Sequence, residues 1–390
     1  MKKITLLAIA ALMTLSIGNL SAQIRSDYRQ KVMNWTRTAS RIDNRFFTLY
    51  TDEAKRIADN LVLYQLDSGA WPKNIYFPGE ITAEQHKKIS ESKKHLENGT
   101  IDNGSTTTEI IYLSKVYNVT REKKYKQAAL KGIKYLLKAQ YKNGGWPQFY
   151  PNAKGYARHI TYNDNAMINV MKLLRDIYEC EPLYWYIPQE LREKAKTAFD
   201  KGVECILATQ VIQDGKPTVW CAQHDFESLA PVKARAYELP SLSGQESDNI
   251  VLLLMDIPNP FPEIIAAVEN AIAWFEKSKI EGIRLEYYRN AEGKRDYRVV
   301  SCEKCPPMWA RFYDLDSNRP FFSDRDGIKK YDISQIGHER RTGYSWYNRD
   351  GSTVLSRYKM WKRELDGKSG RPEGRAVNRY GNPRMYSSLS

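Results

Sequence analysis

The chain has 390 residues, of which 42% are hydrophobic, 27% charged and 12% aromatic. This hydrophobic share is too high for a disordered chain and too scattered for a polytopic membrane protein, so we expect a sizeable core. The formal charge is +14 at pH 7. Basic and acidic residues are interleaved, and no zinc finger, basic zipper or RNP-like motif is present, so we expect no nucleic-acid partner. A basic exported protein would instead attract an acidic polysaccharide.

The N-terminal 22 residues have the pattern of a secretory signal peptide. Lys2 and Lys3 precede an apolar run that ends in small residues before Gln23. A membrane anchor is the alternative, but no stop-transfer flank follows. Removal of residues 1–22, which hold two lysines and no acids, lowers the formal charge from +14 by two, to +12. We therefore expect a secreted or periplasmic protein whose mature chain has no membrane span.

Helical periodicity dominates the first two thirds of the chain. Apolar residues recur at spacings of three and four in four segments, which predicts amphipathic helices. These segments are 54–64, 125–140, 165–178 and 195–210. Farther along, the pattern of residues 285–300 around Gly293 predicts a small β hairpin.

Three of the helical segments end in a similar way. Each is followed by glycine, proline and a tryptophan; these tryptophans, Trp71, Trp146 and Trp220, are 75 and 74 residues apart. A unit of this length holds a helix pair with long loops. We predict a mainly α fold, an (α/α) toroid or barrel of repeated helix pairs with long rim loops. The tryptophans either pack over helix ends or also line a groove on the rim.

Five cysteines are few for a chain of this length, and their number is odd, so we expect no disulfide framework. Cys302 and Cys305 have CxxC spacing, but a four-ligand zinc site needs a second such pair, which is lacking. The two prolines that follow favour a stiff loop over a redox helix, and a disulfide is possible in an oxidising compartment.

Asp102 and Asp164 each precede a predicted helix and each is followed by asparagine. In a toroid, the starts of successive helix pairs meet at one rim. The two carboxylates could then bind calcium, or act as the acid and base of a glycosidase. They could also be ordinary helix N-caps, and spacing does not decide between these interpretations.

Other polar segments mix basic residues with aromatic ones. Lys233 and Arg235 flank one alanine and would point the same way if the segment were extended. Arg311 and Arg325 could hold carboxylates, or could form ion pairs with nearby aspartates. Those aspartates are Asp314, Asp316, Asp324 and Asp326. The pair His224 and Asp225 suggests a triad fragment, but without a GxSxG motif a structural histidine is the better interpretation.

Several segments together resemble polysaccharide lyase family 10, the pectate lyases with an (α/α) toroid. The similarity runs from about Thr38 to Tyr347, and we assign residues 23–365 to the catalytic domain and 366–390 to a polar tail. The segments are IDNGSTTTE, NGGWPQFYP, HITYNDNAM, WCAQHD, KARAYELPSLSG, WARFYDLDSNRPFFSDRDG and ERRTGYSWY.

The resemblance implies calcium-assisted β-elimination on polygalacturonate, giving 4,5-unsaturated products. It implies that Arg235 is the catalytic base and that Asp102 and Asp164 lie around Ca²⁺. It also implies that Arg311 and Arg325 hold uronate carboxylates, with Lys233 beside them in the substrate site. We expect a monomer. The alternatives are a glycoside hydrolase that uses Asp102, Asp164 or Asp225 on acidic polysaccharide, and a non-catalytic polysaccharide-binding protein.

Overall fold

The computed structural model describes residues 27–35, 37, 39 and 47–367. The predicted signal peptide and tail residues 368–390 lie outside this part of the chain. The described residues are mainly helical. The helices are α1 (Asp52–Tyr64), α2 (Ala83–Ser92), α3 (Thr107–Thr120), α4 (Lys123–Ala139), α5 (Ala166–Tyr178), α6 (Gln189–Ala208), α7 (Glu246–Met255), α8 (Pro262–Lys277), α9 (His338–Thr342) and α10 (Asp350–Leu365). Every described helix is too short or too polar to cross a bilayer.

The helices pack in two rows. Helices α3, α5 and α7 form an inner row and lie side by side, while α1, α4, α6 and α8 form an outer row against them. The inner helices are buried on nearly all sides in their first turns, whereas the outer helices bury one apolar face. The predicted toroid of helix pairs is confirmed, and the described helices do not close into a barrel.

The repeated tryptophans belong to the core. Trp71, Trp146 and Trp220 are completely buried. Each indole N–H donates a hydrogen bond of 2.7–2.8 Å to a backbone carbonyl near the end of the preceding helix. Their packing over the helix ends is therefore confirmed, and they do not line a groove.

A glutamine at the end of each repeat joins neighbouring outer helices. The Nε2 group of Gln140 donates to the Gly144 carbonyl at 2.9 Å and to the Ala198 carbonyl of α6 at 2.8 Å. Gln65 donates in the same way to one carbonyl of its own loop, that of Gly69, and to one of α4, that of Ala128. Gln210 donates to the carbonyls of Thr218 in its loop and Ala267 in α8. This repeated contact, here called the glutamine clamp, fixes the distance between successive repeats.

Short strands occupy the loops and the segment between α8 and α10. The predicted hairpin is confirmed as β6 (Ile283–Arg289) and β7 (Arg295–Ser301), joined at Gly293 with a φ of 74°. Strands β5 (Leu242–Ser243), β9 (Phe312–Tyr313), β10 (Pro320–Ser323) and β11 (Lys329–Lys330) form an antiparallel sheet in the order β11-β10-β9-β5. The remaining pairs are β1 (Ile160–Thr161) with β4 (Gln223–His224), β2 (Ile212–Gln213) with β3 (Lys216–Pro217), and β8 (Trp309–Ala310) with β12 (Tyr347–Asn348).

These strands support a second hydrophobic cluster outside the helical core, with Phe312, Phe322 and Trp346 among its buried residues. Cys302 and Cys305 form a disulfide after β7. The CxxC segment is thus a crosslinked turn, as one of the sequence interpretations allowed.

Candidate active site

The inner helices start at one edge of the fold, and a short 3-10 turn precedes two of them. The turn Asp102–Gly104 leads into α3, and the turn Asn163–Asn165 leads into α5. The two turns lie against each other, and the second also contacts the start of α7. This packing brings the segments of Asp102 and Asp164 together, as the sequence predicted.

Asp102 is 4% exposed, and its carboxylate accepts a hydrogen bond from the ammonium group of Lys73. Lys73 also lies 5.3 Å from the ring centroid of Phe149. The backbone N–H of Asp102 donates to Thr100 Oγ1 at 3.0 Å. Asp102 is therefore a preoriented carboxylate beside a cation.

Asp164 is more accessible, with 40% of its side chain exposed. Its Oδ2 accepts a hydrogen bond of 2.9 Å from Asn163 Nδ2, and its Oδ1 lies 3.7 Å from the Arg311 guanidinium. The residues that precede α3 and α5 are Thr106 and Asn165, and neither makes a side-chain capping bond. The N-cap interpretation of Asp102 and Asp164 is therefore wrong.

Arg311 is buried below this edge; its two terminal nitrogens donate to several acceptors, and its buried Nε has no partner among the described residues. Its Nη2 donates to Glu246 Oε1 at 2.5 Å and to Asn163 Oδ1 at 3.1 Å, and its Nη1 donates to Gln245 Oε1 at 3.2 Å. Burial alone would lower the pKa of the Arg311 guanidinium, but the Glu246 carboxylate raises that pKa above its ordinary value. Arg311 is consequently a fixed cation next to Asp164.

Arg235 is more exposed and is held by one acid. Its Nε and Nη2 donate to the two oxygens of Glu238 at 2.7 and 2.5 Å, and Glu238 also accepts from the Tyr344 hydroxyl at 2.8 Å. Hydrogen bonding to Glu238 raises the pKa of the Arg235 guanidinium above its ordinary value, and burial opposes this only partly. A neutral Arg235 is therefore disfavoured in this arrangement.

Guanidinium groups of three arginines lie over the rings of two tyrosines. The Arg311 guanidinium lies 4.3 Å from the ring centroid of Tyr344, and the Arg235 guanidinium lies 6.0 Å from the same centroid. The buried Arg340 stacks on Tyr237 at 3.9 Å. Arg235 and Arg311 thus flank one aromatic side chain.

Arg325 lies on the loop beside Arg235. Gly327 of that loop has a φ of 70°, and a Cβ there would lie 3.2 Å from the carbonyl oxygen of Ala236. The Arg325 side chain is 69% exposed and pairs with Glu339 at 3.2 Å. Its guanidinium is therefore available to an incoming anion.

The structure corrects three sequence interpretations. Arg311 and Arg325 pair with Glu246 and Glu339, not with the four nearby aspartates named in the sequence analysis. The segment after Lys233 is not extended, because a turn closes from Arg235 to the Glu238 N–H. Lys233 consequently borders a separate groove, while Arg235 turns to Glu238.

His224 is a structural histidine, as predicted. The imidazole is completely buried, its Nε2 accepts from the Cys221 N–H at 3.1 Å, and its Nδ1 bonds the Leu229 carbonyl at 2.8 Å. Burial lowers the pKa of His224 to about 4, so the ring is neutral near pH 7. Asp225 Oδ1 accepts from the N–H groups of Glu227 and Ser228, which stabilises a turn.

Sequence reasoning missed Lys73, Glu238 and Glu246. Glu246 opens α7, the third inner helix, at the place where the turns with Asp102 and Asp164 precede α3 and α5. Extending the repeat to a third helix start would have found it. Lys73 and Glu238 have no comparable signal, because their partners depend on tertiary packing.

The donor set suits a calcium ion only in part. Asp102 and Asp164 supply hard carboxylate oxygens, which calcium prefers, whereas the amide oxygen of Asn163 already accepts from Arg311. Within the described residues, no group of three His, Cys, Asp or Glu side chains is arranged to hold a metal ion. Six to eight ligands would therefore require oxygen atoms from a bound substrate or from water.

Comparison with known proteins identifies the family. The sequence model of the pectic acid lyase family matches residues 65–355. A family 10 polysaccharide lyase from Cellvibrio cellulosa is 36% identical over 86% of this chain and 97% of its own, with a TM-score of 0.70. An aspartate-to-alanine mutant of a family 10 polysaccharide lyase from Cellvibrio cellulosa, solved with trigalacturonic acid, is 37% identical over 84% of this chain and 96% of its own, with a TM-score of 0.69. No curated protein matches the chain.

The family model covers most of the chain, and both related structures exceed 30% identity over nearly their whole length. The toroid of helix pairs agrees with that match. The chain therefore belongs to the pectic acid lyases of polysaccharide lyase family 10.

Proposed function

We propose that this pectate lyase cleaves polygalacturonate by calcium-assisted β-elimination, with Arg235 as the base. The observation that carries the proposal is the cluster at the inner-helix starts, where Arg235 and Arg311 flank Tyr344 and Arg311 lies beside Asp164. The bound trigalacturonic acid in the related mutant structure supports a galacturonate polymer as substrate.

The reaction sets three requirements. The C5–H bond and the C4–O bond break, a C4=C5 double bond forms, and the departing oxygen leaves with the other part of the chain as a hydroxyl. The developing charge on the C6 carboxylate must be neutralised, because this acidifies the C5 proton. A base must lie at C5.

In this proposal, Arg311 and Arg325 supply positive charge near the substrate carboxylate, and Lys233 supplies positive charge in the neighbouring groove. Arg311 is a fixed buried cation, and Arg325 is exposed and can turn toward the polymer. Asp102 and Asp164 would hold calcium, which when bound neutralises substrate carboxylate charge.

Arg235 can accept the C5 proton only as a neutral guanidine. Glu238 stabilises its charged form, so turnover requires a high pH or loss of the contact between Arg235 and Glu238 when substrate binds. We therefore expect activity to rise into the alkaline range.

The test is incubation with polygalacturonate, with and without a chelator, while following ultraviolet absorbance. We expect an absorbing unsaturated product that disappears with the chelator and returns with added calcium. New reducing ends without absorbance would instead show a glycoside hydrolase. Binding without any cleavage would show a non-catalytic polysaccharide-binding protein.

Replacement of the two aspartates tests the calcium site. Asp102→Ala and Asp164→Ala should each raise the calcium requirement about tenfold or more, because each removes a carboxylate ligand. Calorimetric calcium titration in the presence of trigalacturonate measures this effect. Asp200→Ala is the control, since Asp200 also pairs with a lysine, Lys196 at 2.6 Å on α6. Calcium binding that is unchanged in both site variants would remove these residues from the site.

We also propose that the mature protein is secreted or periplasmic and acts as a monomer. The sequence pattern of residues 1–22 supports export. The intact mass of the protein recovered from the culture medium or periplasm should correspond to a chain that begins near Gln23.

A further inference from the structure

A groove lies beside the candidate active site, between two segments of loop. One wall is the 3-10 turn Gly155–Arg158 with His159, and the other is the segment 231–234 with Pro240. Its volume is about 440 Å³. This is within the range of about 300–1,000 Å³ that is usual for small-molecule sites. We call it the lateral groove.

Both walls of the lateral groove are fixed to the same strand pair. His159 leads directly into β1, where Ile160 pairs with His224 of β4, and His224 in turn bridges to Pro231 of the opposite wall. The buried His224 ring bonds the Leu229 carbonyl and so holds the connecting turn. The groove is therefore formed before any ligand arrives.

Two cations of the lateral groove lack an acidic partner. In the part of the chain that the structure describes, the side chains of Arg158 and Lys233 make no hydrogen bond or ion pair. The nearby carboxylate of Asp225 is occupied by two backbone N–H groups and lies 3.3 Å from His159 Nδ1. Arg158 instead lies over the Phe226 ring at 5.3 Å. Both cations can therefore meet an anionic ligand.

The other lining groups suit a sugar. Tyr156 is 39% exposed, and its hydroxyl group has no hydrogen-bond partner within the described residues. Pro231, Val232 and Pro240 give the opposite wall an apolar surface. A uronate unit has one carboxylate and apolar ring faces, so it matches a guanidinium next to an exposed aromatic ring.

Each wall of the groove is joined along the chain to a segment that carries a candidate site residue. Lys233 is two residues before Arg235, which limits their Cα separation to about 7 Å. On the other wall, His159 is followed by β1 and then by the turn that carries Asp164. A polymer that passes Arg235 can therefore extend into the lateral groove.

We propose that the lateral groove is an accessory subsite for a galacturonate unit outside the cleaved linkage, with its carboxylate bound by Arg158. This inference rests on the proposed function, because it assumes that the polymer lies along Arg235. Chains long enough to reach Arg158 bind better than chains that fill only the cleavage site.

The test compares trigalacturonate and hexagalacturonate as substrates of the full-length protein. Arg158→Ala should lower kcat/KM for the hexamer about tenfold, the loss expected from one charge-assisted hydrogen bond, and should change kcat/KM for the trimer less than about twofold. Arg121→Ala is the matched control. Arg121 is also an exposed arginine over an aromatic ring, that of Trp185 at 4.8 Å, but it lies at the C-terminal end of α3.

Equal effects of Arg158→Ala on both substrates, or an equal loss in Arg121→Ala, would overturn the subsite. If the wild-type protein forms no unsaturated product from either substrate, the proposed function fails instead. Calorimetric binding of hexagalacturonate then tests the groove alone: weaker binding in Arg158→Ala than in Arg121→Ala supports the subsite, and equal binding overturns it.

Discussion

At the scale of single residues, charge compensation is the main feature of the site. Asp102 is neutralised by Lys73, Arg311 by Glu246 and Arg235 by Glu238. Removing one partner of a buried pair leaves an uncompensated buried charge, so such a variant loses more folding free energy than the lost contact alone would cost. Arg235 differs from Arg311 because it is partly exposed, so its side chain can move away from Glu238.

The first prediction concerns the proposed base. Arg235→Ala should lose nearly all turnover while polygalacturonate binding survives, since a base acts in the transition state more than in ground-state binding. Arg235→Lys should also be severely impaired, because lysine cannot reproduce the geometry of the guanidinium. Steady-state kinetics combined with calorimetric binding measures both effects. Near-normal turnover in Arg235→Ala would show that another residue is the base.

The second prediction follows from the raised pKa of Arg235. Glu238→Gln removes the negative charge that stabilises the charged guanidinium, so the pKa of Arg235 should fall. The fraction of neutral Arg235 at a given pH then increases. The rising alkaline limb of the kcat/KM profile should therefore move to lower pH, even though the maximum rate falls because Arg235 loses its orienting contact.

The matched control for this profile is Glu339→Gln. Glu339 holds Arg325 at 3.2 Å but is 64% exposed and does not contact Arg235. Its replacement should leave the alkaline limb in place. A profile that is identical in wild type and Glu238→Gln would contradict a role for Arg235 ionisation.

At the scale of secondary structure, periodicity predicted the outer helices α1, α4 and α6 and the inner helix α5, but it missed the outer helix α8 and the inner helix α7. The segment 54–64 corresponds to α1, and 125–140 corresponds to α4 within two residues at either end. Helix α7 was not predicted, because its sequence ESDNIVLLLM is buried on nearly all sides and has no apolar period. The apolar period is lost in α7 because this helix has no solvated face, whereas the inner helix α5 keeps an apolar period and was predicted.

The candidate site shows the same limit. The prediction that Asp102, Asp164 and Arg235 belong to the site came from local motifs and family resemblance. Their partners Lys73 and Glu238 were not predicted, since the pairing of Lys73 with a residue 29 positions away depends on how two repeats pack. The turn that directs Arg235 toward Glu238 was also missed, because the sequence analysis considered only the case in which the segment is extended.

The third prediction concerns the glutamine clamp. Gln140→Leu should lower the free energy of unfolding by about 2 kcal/mol or more, because the buried carbonyls of Gly144 and Ala198 would lose their donor. Gln189→Leu, at the exposed start of α6, should change it by less than about 0.5 kcal/mol. Urea unfolding followed by circular dichroism compares the two. Equal stability of both variants would show that the clamp does not stabilise the repeat contact.

At the scale of the whole molecule, charge and repeat architecture act together. The starts of the inner helices gather at one edge, where Lys73 and Arg311 lie against the carboxylates of Asp102 and Asp164. The chain has a formal charge of +14, and the proposed removal of residues 1–22 with their two lysines would leave +12. A positive protein and a negative polymer attract each other over distances that exceed any single contact.

The last prediction follows from this long-range attraction. Raising the ionic strength from 0.1 M to 1 M shortens the Debye length from about 10 Å to about 3 Å. The KM for polygalacturonate should therefore rise severalfold at constant free calcium, whereas kcat should change little, because groups in contact with the substrate are screened less. The KM for trigalacturonate should rise less, since a short chain carries few charges beyond the contact region. Initial rates at several salt concentrations measure both values, and a melting curve at each salt concentration controls for changes in stability. If the KM values of polymer and trimer rise by the same factor, the attraction is confined to the cleavage site and the net charge of the molecule does not contribute to substrate capture.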